Sequence, residues 1–243
     1  MLRRPLRNVR IRIMTDYSFQ TLHSDGGARV IFRGVVGSRA YGTDRPGSDE
    51  DVRGVFLVPP VEYALLAAPP EQVADERNDR VYYSLRRFVE LAAASNPNAL
   101  EMFWLPPDCI RLDTPRFARL RENRAIFLSR RAVDTHIGYA LAQIKKARGS
   151  NKRVEKRAKN MMHLVRLLLS GRNLVRNGEP IVRFEGEERE RLLSIRDGAW
   201  SFDDIMALAD SLQSDIRAGL DACPLPPEPD LAAIDDLLWE LQP

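Results

Sequence analysis

Cysteine is nearly absent: Cys109 and Cys223 are the two in a chain of 243 residues. They stand far apart, with no partner at metal-ligand spacing, which excludes a disulfide framework and makes zinc an improbable cofactor. The usage fits a reducing cytoplasm. No stretch approaches the roughly 18 consecutive apolar residues of a membrane-spanning helix. The opening MLRRPLRNVRIRIM is basic but lacks an apolar h-region and a small-residue cleavage site. Neither a membrane anchor nor a secretory signal is therefore expected. Internal repeats of the solenoid kind are also missing. With 44% hydrophobic and 29% charged residues, the chain has the composition of a globular protein with a sizeable core.

The first third reads as strands and turns. Val9–Ile13 alternates with arginines as an edge strand would, and Val30–Val36 is a β-branched run. VRGVFLV (52–58) is a further strand stopped by Pro59-Pro60, and Arg80–Tyr83 is a short one. It leads into Leu85, Phe88, Val89, Leu91 and Ala92, whose spacing is that of an amphipathic helix. From about residue 115 the pattern turns helical, with segments near 115–127, 130–147, 154–171, 186–196, 202–221 and 230–241. Ser201 is placed to cap the fifth of these. The simplest division is an α+β unit over 1–110 and a helical unit over 111–243.

Between the second and third strands lies GVVGSRAYGTDRPGSDEDVRG (34–54), rich in glycine and carboxylates and poor material for a core. Glycine at position 37 lets the backbone turn sharply and a ligand approach closely. If a short helix starts at Ser38, its free N–H groups suit a phosphate, and the serine hydroxyl adds a donor. In an extended chain Asp49 and Asp51 would share one face, with Cα atoms roughly 6.5–7 Å apart, while Glu50 points away. Carboxylates so placed converge on hard cations such as Mg²⁺ that bridge substrate phosphates. Either element alone is usually only a turn or a solvated strand end; together they are far more specific.

Gly-Ser, ten residues, then Asp-x-Asp closely resembles the signature of the DNA polymerase β-like nucleotidyltransferase superfamily. The fuller form GSRAYGT…SDEDVRGVF resembles one branch, the RNA-repair-pathway polymerase β family. One departure is Glu50, where the superfamily often has an apolar residue. YYSLRRFVELAAASNPNALEMFWLP (82–106), KNMMHLVRLLLSG (159–171) and ERERLLSIRDG (188–198) extend the resemblance over about residues 30–200. It implies a catalytic unit of mixed sheet and flanking helices, with a C-terminal helical unit. The implied activity is transfer of a nucleoside monophosphate from an NTP such as ATP to a hydroxyl, dependent on Mg²⁺ or Mn²⁺. An RNA 3′ end is the implied acceptor, with a protein hydroxyl, or a non-catalytic nucleotide- or RNA-binding role, as alternatives. The superfamily's third carboxylate falls on Asp79, which would alternate with Val81 and Tyr83 on a strand; Glu101 is its substitute.

The helix over 154–171 carries a narrow polar stripe. Lys159, His163, Arg166 and Ser170 fall within about 60° of its circumference, and apolar residues fill most of the rest. Such a helix is packed on most sides and shows one line of side chains to a cleft. Facing the Gly-Ser turn, Lys159, His163 and Arg166 would neutralise a triphosphate, with Arg39 beside the turn as a further nucleotide contact. Between Lys145 and Lys159 there are eight cations and one acid. Lys145, Lys146, Arg148, Lys152 and Arg153 are the expected contacts to an RNA backbone. No aromatic residue accompanies them, so nothing there predicts base stacking. The three tryptophans read as core.

Overall fold

The computed structural model describes residues 17–24, 29–148 and 154–243; the strand expected at Val9–Ile13 and the cations Lys152 and Arg153 lie outside these residues. Five strands form one mixed sheet: β1 (Val30–Val36), β2 (Asp51–Phe56), β3 (Gln72–Asp75), β4 (Arg80–Ser84) and β5 (Ile110–Asp113). Their order is β3-β4-β2-β1-β5. β1 and β2 are antiparallel with Val36 opposite Asp51. β2 and β4 are parallel with Val52 opposite Arg80. These two registers bring the end of β1, the start of β2 and the residue before β4 to one corner of the sheet.

The two sheet faces are covered differently. On one, a short helix α1 (Phe19–Ser24) closes a small cluster of Tyr17, Leu22, Val30, Phe56, Val58 and Tyr82. On the other, α3 (Leu85–Ala93) buries Leu85, Phe88, Val89 and Ala92, and Ser84 caps it by accepting from the Arg87 N–H. Phe32, Phe88, Phe103 and Phe117 stack there, with the Phe32 and Phe117 rings 3.9 Å apart.

Two short helices, α2 (Ser38–Tyr41) and α4 (Pro97–Leu100), punctuate the first half. The second half is helical: α5 (Pro115–Glu122), α6 (Arg130–Arg148), α7 (Val154–Asn177), α8 (Gly186–Arg196), α9 (Phe202–Gly219) and α10 (Leu231–Leu241). α7 is the hub, buried along Met161–Val175 and packed on α6, α8 and α9. It runs past the expected end at Gly171, because that glycine is a packing position against His136 and Ile216 rather than a terminus. Phe32 and Val55 of the sheet belong to the same apolar cluster as Leu168 and Ile216 of the helices. The core is thus continuous across residue 110, and β5 straddles that position. Trp104 packs against this cluster, whereas Trp239 is 81% exposed and departs from the expected core placement. Both cysteines are buried and free. Among the described residues no helix is long and apolar enough to cross a membrane.

Candidate active site

The corner of the sheet is organised by Gly37. Its backbone sits at φ 70°, ψ −146°, and a methyl group on it would overlap a carboxylate oxygen of Asp51. Glycine is needed here on both counts. The chain then makes the single-turn helix α2, starting at Ser38 as expected. A helix start leaves the first N–H groups without intrahelical acceptors, so those of Ser38, Arg39 and Ala40 are free for a ligand.

Asp51 is half-buried at the first position of β2. Asp79 stands beside it, and burial, the neighbouring Asp79 charge and a shared hydrogen bond push the Asp51 carboxyl above the usual carboxylate range. Arg53 and Lys159 act in the opposite sense. Arg53 pairs with Asp79 at 3.0 Å, yet the Asp51 carboxyl stays raised, so this one cation does not offset the burial and the neighbouring charge.

Asp79 reaches this place by a route the alternation of Asp79, Val81 and Tyr83 did not anticipate. It precedes β4, in a left-handed conformation at φ 47° that ends the turn Glu76–Asn78. Asp75 builds that turn by accepting from the Arg77 N–H at 3.2 Å and the Asn78 amide at 2.7 Å. Arg53 holds Asp79 by two donations, to its carbonyl at 2.8 Å and its carboxylate at 3.0 Å.

Asp49 is not part of this pair. β2 begins at Asp51, so Asp49 precedes the paired strand and is exposed in the loop before it. Among the described residues no group of three or more His, Cys, Asp or Glu side chains is placed to hold a metal. Glu50 lies 3.7 Å from both Arg39 and Arg111. Arg39 also donates to the Ser48 carbonyl at 3.1 Å, so this expected nucleotide contact is already engaged at the loop.

The polar stripe of α7 faces the turn, but in two unequal halves. At its open end Lys159 is exposed and close enough to act on Asp51. His163 comes next, its ring edge-on to Tyr41 at 6.1 Å. Burial and the cations Arg166, Lys159, Arg196 and Lys146 lower its pKa to about 3, so it is neutral at physiological pH. Further down, Arg166 is 3% exposed, 2.6 Å from Glu101 and 3.8 Å above the Tyr41 ring. The Tyr41 hydroxyl donates to the other Glu101 oxygen at 2.9 Å. Arg166 is therefore buried structure rather than an open nucleotide contact, and Glu101 is its counter-ion rather than a third carboxylate. Ser170, deeper still, accepts from the Ile181 N–H at 3.1 Å.

One feature of the site was not read from the motifs, although two of its arginines lie in ERERLLSIRDG (188–198). Five successive carbonyls, from Arg39 to Thr43, each receive a donor from residues 183–196. Arg183 donates to the Arg39 carbonyl at 3.1 Å and the Ala40 carbonyl at 3.3 Å. The Phe184 N–H donates to the Tyr41 carbonyl at 3.1 Å. Arg189 donates to the Gly42 carbonyl at 2.6 Å, and Arg196 to that of Thr43. The helical half thereby holds the exit of the Gly-Ser turn. Arg189 and Arg196, seven residues apart, share one face of α8, which is the signal the sequence offered.

A five-stranded mixed sheet with flanking helices, its corner turn opposite paired carboxylates and its C-terminal half helical, has the polymerase β-like architecture. The chain belongs to the RNA repair pathway DNA polymerase beta family, whose sequence profile matches residues 11–240. It is also 30% identical over 131 residues to an uncharacterised 38.9 kDa protein from the nrdC-mobD intergenic region of Enterobacteria phage T4. That match takes in 49% of this chain and 38% of the phage protein, so the chain spans well under half the relative's length.

Proposed function

We propose that the protein is a nucleotidyltransferase that moves a nucleoside monophosphate from an NTP to an acceptor hydroxyl, most directly the 3′ end of an RNA. The carrying observation is the Asp51–Asp79 pair, held together beside the Gly37 turn. Its raised carboxyl, only partly offset by Arg53 and Lys159, fits a divalent cation. Asp51 and Asp79 would hold Mg²⁺ or Mn²⁺, with Asp49 the remaining carboxylate in reach of the same loop. When bound, such an ion neutralises phosphate charge and activates the attacking oxygen.

The chain's own groups do the rest. The N–H groups following Gly37 and the Ser38 hydroxyl bind the β- and γ-phosphates. Lys159 supplies positive charge to the triphosphate and to the leaving pyrophosphate. Neutral His163 offers a hydrogen bond without adding to the field of its cationic neighbours. The acceptor oxygen attacks the α-phosphorus, its proton passing to a carboxylate of the pair. A phosphodiester forms and pyrophosphate leaves.

Incubation with each α-labelled NTP, Mg²⁺ or Mn²⁺, and either RNA or total protein tests this reading. Label on RNA that is lost in Asp51→Asn and Asp79→Asn supports it. Label on protein alone refutes the RNA acceptor, and nucleotide binding without any transfer refutes the activity.

A further inference from the structure

The cations between Lys145 and Lys159 have no aromatic companion in sequence, but the fold supplies two. A cavity of about 450 Å³ opens among α6, α7, α8 and α9. Trp200, from the α8–α9 connection, and Phe202, the first residue of α9, line it together with Met161, Ile195 and Ile205. Arg148 and Arg157 stand at its edge, and no acid lines it. Phe202 is 43% exposed, and the Arg148 guanidinium lies 5.8 Å from its ring centre.

Cations crowd the α6–α7 side of the cavity, while Glu155, Asp203 and Asp204 are exposed next to its lining residues. Lys145, Lys146, Arg148, Lys156, Arg157 and Lys159 are all exposed. None of them makes an ion pair among the described residues, whereas Arg39, Arg53, Arg111 and Arg166 each face a carboxylate. Unneutralised cations around an apolar, aromatic-walled hollow match a strand that offers phosphates outside and a flat base inside. A phosphodiester backbone brings one anion per residue to such a surface.

We infer that this cavity takes an unpaired nucleobase of single-stranded RNA, stacked on Trp200 and Phe202, with Arg148 and Arg157 on the flanking phosphates. This rests on the RNA-acceptor reading above and gives it a second contact point. On α7, Val154, Arg157, Ala158 and Met161 face the cavity, while Lys159 acts on Asp51. The cavity residues and Lys159 lie on different faces of α7, and a helix with its side chains is about 10–12 Å across. The base in the cavity is then upstream of the reacting hydroxyl, and the strand crosses the N-terminal turn of α7.

The test is fluorescence anisotropy of the full chain with 5′-fluorescein-labelled ten-nucleotide oligoadenylate and oligouridylate, and with a duplex of the same length. Single strands should bind more tightly than the duplex. Phe202→Ala and Trp200→Ala should each weaken binding by about 5-fold or more, with Trp200→Phe within about 3-fold of the parent. Arg157→Ala should reduce the slope of log K against log salt by about 0.7. Exposed Phe202 makes its variant safe against misfolding. Single-strand binding unchanged in both alanine variants, or a duplex bound as tightly, would overturn the cavity while leaving the RNA acceptor standing. No binding of any RNA by the parent, with nucleotide label transferred to protein, would overturn both.

Discussion

The assignment of Glu101 and Arg166 to structure, and not to phosphate or metal, has a measurable consequence. Glu101→Gln removes the negative charge from a pair whose side chains are each 4% exposed. The guanidinium stays buried over Tyr41 with no counter-ion, and the Tyr41 hydroxyl must share the remaining amide oxygen. Breaking a buried pair from one side destabilises by about 3–5 kcal/mol, since the surviving charge remains desolvated. For a chain of this length each kcal/mol shifts the melting temperature by about 2–4 °C, so Glu101→Gln should melt about 6–20 °C lower. Far-UV circular dichroism against temperature at pH 7 reads this directly. Glu101→Leu/Arg166→Met, which deletes both charges, should recover more than half of the loss, because the two changes share one interaction. A Glu101→Gln melt within about 2 °C of the parent would refute the reasoning. So would an Arg166→Met variant of parental stability whose KM for NTP is raised.

Gly37→Ala strains a positive-φ position by about 1–2 kcal/mol and pushes the Asp51 carboxylate away from Asp79, so kcat/KM for nucleotide transfer should fall by at least about tenfold. Asp51→Asn should abolish transfer while raising the melting temperature, because it removes a half-buried charge and its repulsion with Asp79; an unchanged or lower melt contradicts the crowded pair. Arg189→Ala frees the Gly42 carbonyl and should raise KM for NTP several-fold, with Arg189→Lys restoring part of the loss; parental kinetics would show that the turn needs no such support. His136 and His163 are held neutral, with pKa values lowered to about 4 and about 3. The unfolded chain takes up those protons first as the pH falls below 6.5. Stability should therefore decline between about pH 6.5 and pH 4 by up to about 1.4 kcal/mol per pH unit for each histidine. His163→Gln should flatten that decline in urea titrations.

The parts of this fold legible in the sequence are those written in local chemistry. The β-branched run 30–36, the amphipathic helix from Leu85, the Ser201 cap and the Gly-Ser turn with a helix starting at Ser38 all rest on residue preference and spacing. Asp79 was recognisable as an acid near the right strand, yet its left-handed backbone and its hold on Arg53 depend on the turn that Asp75 builds. Asp49 shows the opposite failure. Alternation gives both acids one face only along a strand, and β2 starts at Asp51, after Asp49. β3 and β5 were missed because four-residue edge strands carry too little pattern.

The α7 stripe explains why a cation's role could not be read from its helix face alone. Lys159, His163, Arg166 and Ser170 share one line, but depth along that line changes what surrounds each. At the bottom, Arg166 meets Glu101 and Tyr41, and its charge serves to fasten α2 to α7. At the top, Lys159 meets the Asp51–Asp79 corner with no acid of its own. The main-chain clamp from Arg183, Arg189 and Arg196 fixes the same turn from the other side, so both halves of the chain act on residues 39–43. A turn restrained this way holds its free N–H groups in one arrangement before any phosphate arrives, which lowers the ordering penalty of binding. Among the described residues, Lys145, Lys146, Arg148, Lys156 and Arg157 make no ion pair and stand at the open end of the same helix pair.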